Sequence, residues 1–140
     1  KSRFNLLNEF KSSNTAESWQ LSNPPILSMA ALFCSLNIFD TIGMDDLSAK
    51  SIKMTSYLYT LLDKSENLSI ITPRQTENRG AQLSIRIKDF NPNIYTKLIE
   101  NGFICDLRKP DVLRIAPVPL YNSFEEIYHF SNFLNSLINE

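Results

Sequence analysis

The segment that begins at Ile26 is apolar on all sides when it is read as a helix. Ile26, Met29 and Phe33 cover one side of that helix, and Leu27 and Cys34 cover the opposite side. A surface helix normally carries a single apolar stripe, whereas a helix that is apolar all round is buried on several sides. A chain of this size can hardly bury such a helix, so we expect another domain or a subunit to cover it.

The ends of this helix are indicated by capping and terminating residues. Ser22 or Asn23 can cap its start, and Pro25 suits an early helical position. The helix is expected to run to about Thr41 and to stop near Gly43, a residue type that tolerates the left-handed conformation found at helix ends.

The rest of the chain alternates between helical and strand-like patterns. Leu83, Ile85 and Ile87 alternate with polar residues, which indicates a half-buried strand. The same signals predict, in chain order, a helix over 45–62, strands over 68–72 and 82–88, a helix closed by Gly102, strands over 103–107 and 112–116, and a last helix from Ser123. Hairpin-like spacings favour an α+β fold, a small antiparallel sheet with helices packed on one face.

Composition limits the classes of partner. The 140 residues, 43% of them hydrophobic, fit one globular domain. A net charge of −1 argues against a nucleic-acid binder that works by bulk electrostatics and against a polybasic membrane-surface protein. No apolar run reaches membrane-spanning length and no signal-peptide pattern is present, so we expect no nucleic acid, no membrane and a cytoplasmic location. The first residue is Lys1 rather than Met, a hint that the sequence is a piece of a longer protein.

Cysteine and histidine are too few for a local metal site. Cys34 and Cys105 lie far apart without C-x-x-C spacing, and His129 is the single histidine. Both cysteines are expected to be buried packing residues. Glu125 lies one turn before His129, which leaves either an oriented base or, as the preferred interpretation, an exposed histidine on a solvated helix face.

Two residues suit ligand binding. Arg114 faces away from Leu113 and Ile115 on a strand followed by two prolines, and an arginine on a rigid strand can bind a carboxylate with two parallel hydrogen bonds. The pattern alone favours an ordinary solvent-facing arginine. Asn23 stands at a helix start, where the pattern favours a cap and phosphate binding is the alternative.

Four stretches resemble the kynureninase family, the pyridoxal 5′-phosphate enzymes of tryptophan breakdown. They are residues 19–27 (Trp-Gln-Leu-Ser-Asn-Pro-Pro-Ile-Leu), 70–73 (Ile-Ile-Thr-Pro), 79–83 (Arg-Gly-Ala-Gln-Leu) and 114–124 (Arg-Ile-Ala-Pro-Val-Pro-Leu-Tyr-Asn-Ser-Phe). The resemblance implies the C-terminal domain of a fold-type-I pyridoxal-phosphate enzyme, with residues 1–22 as a connector from a large domain and 23–140 as the small domain.

The resemblance also implies a reaction and residue roles. The family hydrolyses kynurenine or 3-hydroxykynurenine to alanine and an anthranilate. By position, Arg114 would bind the α-carboxylate of the substrate, and Asn23 would contact the cofactor and substrate near the phosphate or the aromatic ring. The implied partners are the small-molecule substrate, the enzyme's own large domain and a second subunit in a homodimer.

The resemblance implies that no catalytic residue lies in this chain, because the lysine that holds the cofactor would precede Lys1. Six lysines are expected at the surface: Lys50, Lys53, Lys64, Lys88, Lys97 and Lys109. Two alternatives stay open, the small domain of an aminotransferase or desulfurase-like enzyme and a stand-alone interaction domain.

Overall fold

The computed structural model describes residues 8–139, which form parts of two compact units. The N-terminal unit is Lys1–Thr41 and the C-terminal unit is Ile42–Glu140. The predicted boundary between a connector and a small domain after residue 22 stays a prediction. No single helix in the described part of the chain is long and apolar enough to span a membrane, and only the first two long helices read together reach that length and apolarity.

The N-terminal unit contains a short 3-10 helix, Ala16–Trp19, and the helix α1, Ile26–Ile42. The predicted all-round apolar helix is therefore present, and it ends before Gly43, whose φ of 88° lies in the left-handed region. No residue of α1 is buried, and Leu27 is 89% exposed. Cys34 is exposed, so the prediction that it is buried is wrong for the part of the chain that the structure describes.

The C-terminal unit contains a four-stranded antiparallel sheet and three helices. Its elements are α2 (Met44–Leu62), β1 (Leu68–Ile70), β2 (Leu83–Ile87), α3 (Pro92–Glu100), β3 (Asp106–Arg108), β4 (Val112–Ile115) and α4 (Phe124–Ile138). The strand order is β1-β2-β4-β3, and every neighbouring pair is antiparallel. The turn between β3 and β4 contains the cis peptide bond Lys109–Pro110.

The hydrophobic core lies between the three helices and one face of this sheet. Its buried members are Met54, Leu58, Leu62, Leu83, Ile85, Ile87, Ile94, Leu98, Leu113, Ile127, Phe130, Leu134 and Leu137. Alternate residues of β2 and β4 point into this core, because successive side chains of a β-strand point to opposite faces of the sheet. The predicted α+β class, with helices on one face of a small antiparallel sheet, is confirmed.

The strand predicted over 103–107 begins later, at Asp106. α3 ends in a Schellman motif, in which Gly102 N donates to Ile99 O at 3.0 Å and Phe103 N donates to Leu98 O at 2.9 Å. The Phe103 ring then packs edge-on against Phe130, with the centroids 5.6 Å apart. The alternating apolar pattern in this segment therefore reflects packing against α4 and only partly strand pairing.

The other face of the sheet carries polar side chains. This face carries Ser84 and Arg86 of β2, Arg114 of β4, and Asp106 and Arg108 of β3. They share it because each pairs in register with another of the set or lies two residues from one along its strand. We call it the open face, since α2, α3 and α4 contribute their buried residues to the opposite side. The open face positions the candidate site.

Candidate functional site

Arg114 lies on a strand between two neighbours, opposite Ser84 of β2 and Asp106 of β3. Its neighbour Leu113 is fully buried in the core, which fixes the alternation and directs Arg114 to the open face. The Arg114 side chain is 33% exposed. The prediction that Arg114 points away from Leu113 is confirmed, and the backbone beneath it is held by ladders on both sides.

One edge of the Arg114 guanidinium is already occupied. Nε and Nη2 both donate to Oδ2 of Asp106. Arg108 Nε lies 2.9 Å from the same oxygen, so one carboxylate contacts two arginines. Among residues 8–139, Nη1 of Arg114 has no acceptor, so the edge formed by Nη1 and Nη2 is available to a second carboxylate.

The chain that leaves β4 is held by local hydrogen bonds. Val118 N donates to Oδ1 of Asn122 at 2.8 Å. Ser123 then starts α4 with a capping box, in which Ser123 N donates to Glu126 Oε2 at 2.6 Å and Glu126 N donates to Ser123 Oγ at 3.1 Å. The backbone hydrogen bond from Ser123 is the main cause of a lowered pKa for Glu126, and the side chain of Asn122 adds to it.

A cleft of about 510 Å³ lies beside the end of β4. Its lining residues are Leu58, Gly102, Phe103, Ile104, Cys105, Ile115, Ala116, Pro117, Tyr121, Asn122, Glu126, Ile127 and Phe130. No lysine or arginine is among them, so the cleft offers neither an amine for an aldehyde nor a cation for a phosphate. This cleft by itself does not fit a pyridoxal-phosphate site.

Cys105 lines this cleft and packs against the core. Burial, and to a lesser extent the charge of Asp106, raise the pKa of its thiol to about 11. The thiol is protonated at neutral pH, which makes it a poor nucleophile. Cys105 therefore packs against the core as predicted, but it is half-buried rather than buried.

Asn23 lies in the N-terminal unit, three residues before the first residue of α1, and is exposed. Within the part of the chain that the structure describes, its side chain makes no hydrogen bond, so the predicted cap is not formed. Arg114 belongs to the other unit, so the two predicted ligand-binding residues lie in different units of the chain. His129 is exposed and lies 3.6 Å from Glu125, which confirms the interpretation of a histidine on a solvated helix face.

Residues 47–134 match the family model of the kynureninase C-terminal domain. The chain belongs to the kynureninase family. It is 52% identical over 132 residues to the kynureninase of Koribacter versatilis, covering 93% of this chain and 31% of that protein. It is 46% identical over 134 residues to kynureninase 2 of Aspergillus niger, covering 91% and 29%. It is 39% identical over 146 residues to the kynureninase of Mus musculus, covering 97% and 32%.

The chain thus spans about a third of the length of the curated kynureninases it matches. The family match favours a kynureninase over the alternative of an aminotransferase or desulfurase-like enzyme. The alternative of a stand-alone interaction domain is not tested.

Sequence reasoning missed Asp106, although the signal was present. The strands predicted over 103–107 and 112–116 enclose a turn at Lys109-Pro110-Asp111, and counting outward from Pro110 places Asp106 opposite Arg114. Cross-strand neighbours of opposite charge attract each other, so the pair follows from the turn position alone.

Proposed function

We propose that this chain is the C-terminal part of a pyridoxal-phosphate-dependent kynureninase that hydrolyses kynurenine or 3-hydroxykynurenine. In this proposal Arg114 binds the α-carboxylate of the substrate. The observation that carries it is the free Nη1–Nη2 edge of an arginine whose other edge is held by Asp106.

The setting of Arg114 favours a carboxylate over other ligands. A guanidinium presents parallel N–H donors that match the two oxygens of a carboxylate. The open face carries Arg86 and Arg108 beside Arg114, so the local field favours an anion. Partial burial of Arg114 strengthens the attraction relative to a fully solvated arginine.

The cofactor would be held mainly by the rest of the enzyme. Pyridoxal phosphate supplies an electron sink when it is bound. From this chain we propose Asn23 as a cofactor and substrate contact, supported by its exposed position and by a side-chain amide that has no hydrogen-bond partner among residues 8–139. No proton transfer is assigned to a residue of this chain.

We propose a homodimer in which the large domain or the second subunit covers α1. The support is the exposure of a helix with apolar residues on every side, such as Leu27 and Phe33. We place the enzyme in the cytoplasm, and the free thiols of Cys34 and Cys105 are in keeping with a reducing compartment.

The test of this function is steady-state kinetics of Arg114→Gln in the complete enzyme with kynurenine as substrate. Loss of a charge-assisted pair in a partly buried site costs about 2–5 kcal/mol, so kcat/KM is expected to fall about 30-fold to several thousand-fold. Arg114→Lys is expected to recover only part of the loss, because an ammonium lacks the planar fork.

Arg86→Gln is the matched control. Arg86 lies on the same open face and pairs with Asp111 at 3.3 Å, so its removal changes the same charge without touching Arg114. The cofactor absorbance spectrum reports folding in every variant. Near-normal kcat/KM in Arg114→Gln would remove the carboxylate role.

A further inference from the structure

We propose that Asp106 is the positioning residue that orients Arg114 for the substrate carboxylate. The proposal rests on the carboxylate role of Arg114 given above and extends it to the residue across the strand. Asp106 touches neither substrate nor reacting atoms in this scheme and acts only through Arg114.

The geometry of the guanidinium supports this role. A guanidinium has a side edge, formed by Nε and Nη2, and an end edge, formed by Nη1 and Nη2. Asp106 accepts from Nε and Nη2 through one oxygen, so it holds the side edge and leaves the end edge outward. Contacts at two nitrogens fix the plane of the group as well as its position. The hairpin register places Asp106 directly opposite Arg114, so this contact needs no long reach.

The energetics of the Asp106–Arg114 pair support the same role. The Asp106 side chain is 48% exposed, and ion pairs this exposed contribute little to folding stability. An unrestrained arginine, in contrast, loses considerable rotamer entropy when it is immobilised by a ligand. Restraint of Arg114 before substrate arrives therefore benefits binding more than it benefits folding.

The charges around Arg114 are compatible with an anion site. Asp106 carries one negative charge between two arginines, because Arg108 Nε also contacts its Oδ2 at 2.9 Å. The three side chains keep a net positive charge of about one, so a substrate carboxylate is still attracted. Arg108 restrains Asp106 in turn, which keeps the acceptor oxygen in place for Arg114.

A positioning role for Asp106 and simple electrostatics predict opposite changes in substrate binding when Asp106 is removed. By Coulomb's law alone, removal of a negative charge beside an anion site strengthens anion binding. If Asp106 orients Arg114, its removal weakens binding although the site becomes more positive. The sign of the change therefore decides between the two.

The experiment is steady-state kinetics of Asp106→Ala in the complete enzyme with kynurenine. We expect KM to rise about tenfold to a hundredfold, with a smaller change in kcat, since a misplaced binding group costs about this much. Asp106→Asn keeps an acceptor oxygen and is expected to recover part of the loss. Asp111 lies in the turn of the same hairpin as Asp106, and its carboxylate pairs with Arg86. Asp111→Ala removes that carboxylate and is expected to leave KM near the wild-type value.

A ligand without a carboxylate separates positioning from a general loss of structure. Kynuramine, the amine that remains when kynurenine loses its carboxylate, is expected to inhibit wild type and Asp106→Ala with the same inhibition constant. A parallel rise in that constant would show a structural role and overturn the proposal.

The double variant Asp106→Ala/Arg114→Gln completes the test. If Asp106 acts through Arg114, the double variant is expected to match Arg114→Gln alone, because no oriented arginine remains to lose. If Arg114→Gln lowers kcat/KM while Asp106→Ala leaves KM unchanged or lowers it, the positioning role is overturned and the carboxylate role stands. If Arg114→Gln itself has no effect, the proposed function fails first.

Discussion

The ammonium group of Lys50 on α2 donates a hydrogen bond to the carbonyl oxygen of Pro119 at 2.6 Å. It donates a second to the carbonyl oxygen of Asn122 at 3.0 Å, and the side chain is half-buried. Lys50 was expected at the surface, and that prediction is wrong. The residue ties α2 to the segment between β4, which carries Arg114, and α4.

We predict that Lys50→Met lowers the free energy of unfolding by about 1–3 kcal/mol. Hydrogen bonds from a charged donor contribute about 1.5–3 kcal/mol, and the change leaves two half-buried carbonyl groups without this donor. Urea unfolding of the 140-residue chain, followed by circular dichroism, measures the difference.

Lys53→Met on the same helix is the control for this prediction. Lys53 is exposed, and surface substitutions of this kind change stability by about 0.5 kcal/mol or less. Equal midpoints for the two variants would show that the Lys50 contacts carry no stability.

The capping box at the start of α4 predicts a pH dependence of stability. The pKa of Glu126 lies below its ordinary value of 4.5, mainly because Ser123 N donates to its carboxylate. A group with a depressed folded-state pKa contributes stability that is complete above the unfolded pKa and is lost as pH falls through the folded one. We expect Glu126→Gln, which cannot titrate, to lose stability less steeply than wild type below pH 4.5.

Two variants test whether the capping box stabilises the start of α4. Ser123→Ala removes the cap and is expected to cost about 1 kcal/mol at pH 7. Glu125→Gln removes the same charge from the same turn but no hydrogen bond of the box, so its cost at pH 7 is expected to be smaller than that of Ser123→Ala. Acid-unfolding curves of identical steepness for wild type and Glu126→Gln would contradict the prediction.

Local signals in the sequence were sufficient to predict most of the fold. Asn91 caps the start of α3, with its side chain accepting from Asn93 N, and Ser123 caps α4 at the predicted start of the last helix. These signals act within one helical turn, so a single sequence contains them. The predicted start of β3 was wrong because the apolar residue at Phe103 serves to pack its ring against Phe130 of α4.

The candidate site was predictable only in part, for a physical reason. The direction of the Arg114 side chain could be predicted from the alternation of its strand and from the two prolines after it. Asp106 required the hairpin register, and the contacts of Lys50 join residues about 70 positions apart, which no local pattern encodes.

The exposed apolar surface of α1 predicts association of the isolated chain. Leu27 is 89% exposed and Phe33 65%, and they lie among further exposed apolar residues on every side of the helix. Contiguous apolar surface of this kind drives association or takes up hydrophobic dyes. We expect sedimentation velocity of the 140-residue chain to show concentration-dependent species larger than the monomer, and an environment-sensitive dye to gain fluorescence.

The double variant Leu27→Glu/Phe33→Glu is expected to shift the chain toward monomer and to reduce dye fluorescence, because each glutamate places a charge in the apolar surface. Ile104→Glu is the matched control. Ile104 is 84% exposed but lies in the C-terminal unit, away from α1 in sequence, so the change adds a charge without altering the helix. If wild type sediments as a monomer at high concentration and binds no dye, α1 needs no cover. The homodimer proposal would then lose the support that it takes from this helix.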